Sequence, residues 1–198
     1  MSLTSISTES IQGFDWLLEL IDFRCQELFA SKVTTSSPLP FIESASAYPY
    51  YESTMSGFSP EERLIVMMAL ANQLCPEIWG SFHKIAIELH LDETDHSTFG
   101  LTQISGTHYL QATVGTTLFL LGGDNLMLRK KIWDLWLPMA PLRSSNLLEL
   151  PTQENLPSVG SILKLEQAFE YQLLTGQSPH PQYAPDFPAT PLTTTKTW

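Results

Sequence analysis

The stretch SPEERLIVMMALANQLCP, residues 59–76, restricts the fold more than any other part of this chain. Ser59 is placed to accept a hydrogen bond from the third helical residue, and Glu62 to return one to the Ser59 backbone. Pro60 suits the first helical turn, where its missing N–H costs nothing. The run LIVMMALA (64–71) that follows is apolar on every side, so this helix is stable only when other elements surround it. Pro76 ends it. A chain built around such a helix needs a mainly helical scaffold that wraps it.

Residues 14–29 place Phe14, Leu17, Leu18, Ile21, Cys25 and Leu28 at helical spacing, with Asp15, Glu19, Asp22 and Gln26 as the wet stripe. Beyond Pro76, the residues Ile78, Trp79, Phe82, Ile85, Ala86 and Leu89 mark one face of a third helix. TFGLTQI (98–104) reads as a short strand. Thr113 is placed to cap a helix over VGTTLFLL (114–121), with Gly122 as its left-handed terminator. Asp124, after Gly122 and Gly123, is then the expected cap of a further helix reaching Trp136. NLLEL (146–150) and SILKL (161–165) have strand character and flank the loop 151–160, which predicts a hairpin. A last helix spans about 166–175 and closes at Gly176.

The expected architecture is mainly α with a small β component (α+β): a helical bundle leading into a winged-helix-like part with a β-hairpin wing. Residues 1–97 form the helical part, 98–176 the winged-helix-like part packed on it as one unit, and 177–198 a proline-rich linker.

Charge narrows the partners. The formal charge is −11, and it is uneven: residues 1–100 carry 14 acids and 4 bases, residues 101–198 carry 7 and 6. Such a surface repels phosphate backbones, which argues against nucleic acid as a partner. The one basic cluster, Arg129, Lys130 and Lys131, lies on the helix that reads DNA in a DNA-binding winged helix. Its alternatives are phosphate contacts, a solvated face, or docking to an acidic protein surface. Tyr48, Tyr50 and Tyr51, in AYPYYES, read either as pins against the core or as a docking patch. No apolar run reaches the ~18 residues of a membrane span and no signal peptide is evident, so a cytoplasmic location is expected. Cys25 and Cys75 sit in apolar helical patterns and read as buried thiols.

Catalytic motifs are missing. No Gly-Lys-Ser/Thr sequence accompanies Gly122 and Gly123, so these glycines punctuate helices and hold no phosphate. No G-x-S-x-G elbow occurs. HLDETDH (90–96) brings His90, Asp92, Asp95 and His96 together, but no second His/Cys cluster completes a four-ligand metal site. No catalytic, cofactor-binding or metal-ligating residue is expected in this chain, and it is not expected to be an enzyme by itself.

Three stretches together resemble the N-terminal winged-helix domain of the AAA+ ATPases encoded beside phage-tail-like contractile injection systems. GFSPEERLIVMMALANQLCPEIW (57–79) is similar to the family's first core helix. GTHYLQATVGTTLFLLGGD (106–124) is similar to its Gly-aromatic-Thr segment leading into an apolar helix. LLTGQSPHPQYAPDFPATPLTTTKTW (173–198) is similar to the linker that enters the ATPase module. Ala112 stands where the family carries proline. The resemblance implies partner recognition, or assembly and remodelling of an injection machine, with injection-system components or neighbouring ATPase subunits as partners. It also implies that ATP and magnesium belong to a module beyond Trp198, so no cofactor is expected here. The alternative is a free-standing winged-helix DNA-binding regulator.

Overall fold

A computed structural model describes residues 14–29, 55–88, 96–149 and 156–177. The helices are α1 (Asp15–Phe29), α2 (Pro60–Leu74), α3 (Gly80–Glu88), α4 (Val114–Gly122), α5 (Leu126–Asp134), α6 (Pro141–Ser144) and α7 (Gln167–Thr175), with 3-10 turns at Pro76–Trp79 and His96–Phe99. Two strands, β1 (Leu101–Gln103) and β2 (Leu110–Ala112), pair antiparallel with Leu101 opposite Ala112. The chain is thus mainly helical among the described residues. None of the helices found there is long and apolar enough to cross a membrane.

The central helix forms as its sequence requires. Ser59 accepts from the Glu62 N–H at 3.2 Å and Glu62 accepts from the Ser59 N–H at 2.9 Å, which completes the capping box. Every residue from Leu64 to Asn72 is buried, and each large aliphatic side chain there contributes about 1.5–3 kcal/mol. Glu62 does more than cap: its second oxygen accepts from the Leu142 N–H at 3.1 Å and so ties the start of α6 to the start of α2.

A single core joins the two halves. Phe82 of α3 lies 4.8 Å from Phe99 and 6.1 Å from Phe119 of α4, and Phe99 and Phe119 meet edge to face at 5.4 Å. Arg24 on α1, buried, donates from Nε to the Leu120 carbonyl at 2.7 Å and from Nη2 to the Leu121 carbonyl at 3.2 Å. These carbonyls end α4, where the helix dipole favours a cation. Glu27 pairs with the same guanidinium.

The expected hairpin is present in a different form. Residues 147–149 and 161–166 exchange two backbone hydrogen bonds, Glu149 N–H to Lys164 at 2.8 Å and Glu166 N–H to Leu147 at 2.9 Å. On its other edge the same 161–166 segment bonds to 112–114, through Leu163 N–H to Ala112 at 3.0 Å and Val114 N–H to Ser161 at 2.9 Å. Residues 161–166 are therefore an inner strand-like segment between two neighbours, with isolated bridges at Thr113–Ile162 and Leu148–Leu165. The loop residues 150–155 lie outside the described part, as do residues 1–13 and 178–198. β2 had no sequence signal of its own, because three residues are too few to show a period.

Two local expectations are corrected. Gly122 is not the left-handed terminator; it is the last, buried residue of α4, and Gly123 has the positive φ of 53°. Gly122 is needed for closeness instead: a Cβ there would lie 2.6 Å from Arg129 Cγ and 3.0 Å from Arg129 Cα, where α4 and α5 cross. Asp124 does not cap α5. Asn125 does, its side chain accepting from the Met127 and Leu128 N–H groups at 3.0 and 3.2 Å. The helix then stops at Asp134, two residues before the buried Trp136. Both corrections shift the cap by one residue, at a turn where Arg24 and Arg129 pack against Gly123 and Gly122. Gly176, by contrast, does end α7 in the left-handed conformation at φ 71°.

Candidate functional site

The α5 helix is positioned by buried contacts on one side and left open on the other. Ile132 points inward and Trp133 packs partly against the core. Arg129, between the two sides, donates from Nε to the Gly123 carbonyl and lies 3.9 Å from Asp124. Of the three predicted partner-binding cations, Arg129 is thus occupied in holding the α4–α5 turn. Lys130 and Lys131 are exposed, and among the described residues neither forms an ion pair.

The same outer face carries two side chains that the sequence reading passed over. Leu126 is 78% and Met127 68% exposed. Leu126 precedes Lys130, and Met127 precedes Lys131, by four residues, so each apolar side chain lies one helical turn, about 6 Å, from a lysine. The signal was available in LMLRKKIWD, since placing Ile132 inward turns Leu126 and Met127 outward. Tyr48, Tyr50 and Tyr51 lie outside the described residues.

The described residues contain no group of three or more His, Cys, Asp or Glu able to hold a metal, and most of HLDETDH lies outside them. Thr113 and Thr116, buried at the start of α4, are satisfied internally. Thr116 donates to the Gly100 carbonyl at 2.9 Å and accepts from the Thr113 N–H at 2.9 Å, while the Thr113 hydroxyl reaches the Gly100 and Val159 carbonyls.

Cys25 and Cys75 are buried and unpaired to each other. Burial pushes the Cys25 thiol up to about 12, with Asp22 adding to the rise, and Cys75 up to about 11, with Glu77 adding. Thiolate is the reactive form, so both are inert at neutral pH. At pH 8, iodoacetamide should label neither in the folded chain and both in denaturant. A thiol pKa raised by folding stabilises fully below the unfolded value of about 8.5 and loses that stabilisation as pH climbs toward the folded value. Urea unfolding should therefore show stability falling above pH 9, with a smaller fall in Cys25→Ala.

No family model, curated protein or solved structure matches this chain.

Proposed function

We propose that this chain is a non-catalytic, winged-helix-like docking domain at the N-terminus of an AAA+ ATPase, cytoplasmic and acting in recognition of a protein partner during assembly or remodelling of a contractile injection system. The winged-helix part of this reading is supported by the order of elements. A short segment at 112–114, a helix pair α4–α5, and then two segments follow one another, the last of which (161–166) inserts between the other two. The module and its machine rest on the sequence resemblance.

The observation that carries the docking function is the outer face of α5. A helix that reads DNA presents polar donors and acceptors to base edges from its first turns. Here the first turn presents Leu126 and Met127, which offer no hydrogen bond. The net charge of −11 points the same way. Lys130 and Lys131 are the feature that favours the DNA-binding alternative, and two lysines on so acidic a chain support only salt-sensitive, non-specific association.

Two measurements test the reading. The reading frame after the Trp198 codon is expected to run into a P-loop ATPase module; a stop codon there removes the ATPase parent. In an electrophoretic shift with pooled duplex DNA, binding is expected no tighter than the ~10⁻⁴–10⁻⁶ M of non-specific association. A nanomolar, sequence-selective shift hands the function to the DNA-binding regulator.

A further inference from the structure

The α5 face has a chemistry that selects among protein partners, and this inference rests on the docking reading above. We propose that it takes an acidic segment of another protein in which carboxylates alternate with aliphatic side chains at a spacing of one helical turn.

The argument is complementarity. Leu126 and Met127 together form an exposed apolar pair at the start of α5, and burying such side chains is the main source of binding energy available here. Directly beyond them lie Lys130 and Lys131, exposed and without an ion pair among the described residues. A purely apolar partner would bury these ammonium groups unpaired, which is costly. A polyanion such as nucleic acid would satisfy the lysines and leave Leu126 and Met127 facing phosphate. Only a partner with both groups covers the face, and the four-residue offset sets where its carboxylates stand relative to its aliphatic side chains. Asp134, on the same outer side at the far end of α5, limits the acidic stretch, because a carboxylate continued that far meets a like charge.

The field of the whole chain opposes an acidic partner at long range. At physiological salt that field is screened beyond about 8 Å, so the lysines act at contact distance.

The test is selection from a displayed library of random 16-residue peptides against the full chain, followed by fluorescence anisotropy on the enriched peptides. Enrichment of peptides pairing Asp or Glu with Leu, Ile or Met three or four residues away is expected. Lys130→Glu with Lys131→Glu should weaken their binding by tenfold or more, and Leu126→Ser by a similar factor. Lys130→Arg should retain it. A peptide with its carboxylates changed to lysine should recover binding to the doubly reversed variant. These positions are exposed, and an unchanged melting temperature in each variant confirms that folding is intact. Enriched peptides without acidic bias, binding indifferent to the lysine reversals, or no enrichment at all would each overturn the proposal. Those three outcomes leave the broader docking function standing. Selective nanomolar DNA binding lost in the same lysine variants would sink both. Sedimentation that shows this face binding a second copy of the chain would overturn the assignment of an acidic partner.

Discussion

Gly100→Ala is expected to destabilise the fold by about 3–5 kcal/mol, lowering the melting temperature by roughly 10–15 °C for a chain of this length. Gly100 has φ of 70°, a conformation that costs any residue with a Cβ. The larger effect is contact. A Cβ at this position would lie 2.3 Å from the Gly115 carbonyl carbon and 2.4 Å from the Thr116 nitrogen, both backbone atoms of the first turn of α4. That turn cannot recede without loss, since the Thr116 hydroxyl bonds to the Gly100 carbonyl and the Gly115 N–H bonds to the Val159 carbonyl at 2.8 Å. Gly106→Ala separates the two causes. Its φ is 80° but nothing lies within 4 Å of its Cβ position, so only the conformational part, about 1–2 kcal/mol, is expected there. Equal losses in the two variants, by urea or thermal unfolding, would show that the approach to α4 is looser than described.

Asn72→Leu should cost about 2–5 kcal/mol. Asn72 is buried on the central helix and spends its whole side chain on β2 and the 161–166 segment. Its Nδ2 donates to the Ala112 carbonyl at 3.0 Å and to the Leu163 carbonyl at 2.8 Å, while its Oδ1 accepts from the Ala112 N–H at 2.8 Å. Leucine is close in volume, so little cavity arises. What remains is the Ala112 N–H and the Leu163 carbonyl without this partner, each worth about 1–3 kcal/mol when buried and unsatisfied. Native-state hydrogen exchange localises the effect: protection at the Ala112 amide should fall by orders of magnitude more than at amides in the middle of α2. Uniform loss across the domain would mean that the side chain acts only through global stability. The bond also gives a reason for alanine at 112, because proline there would have no N–H for Asn72 to hold.

Most of the helical frame was legible beforehand. The Ser59–Glu62 box, the buried run from Leu64 and the Gly176 stop depend on side chains bonding to their own turn and on a period of 3.6. The sequence displays both directly. The candidate face was half legible. The basic triplet was visible, but its division into an engaged Arg129 and open Lys130 and Lys131 depends on where α4 ends. The exposure of Leu126 and Met127 follows only once Ile132 is known to point inward, since exposure depends on the neighbours as well as on the residue.

Sequence alone settled that the chain is mainly helical around one apolar helix, because local hydrogen bonding and periodicity suffice for that. Tertiary structure alone decided that Gly123 and not Gly122 takes the positive φ at the end of α4, where Arg24, 96 residues before the Leu120 carbonyl it holds, packs beside it. It also decided that 161–166 becomes an inner segment, because the Asn72 contacts that fasten it reach 91 residues along the chain. A three-residue strand has no pattern to announce such a partner; the match is made by burial and by backbone groups that must be paired once they leave water.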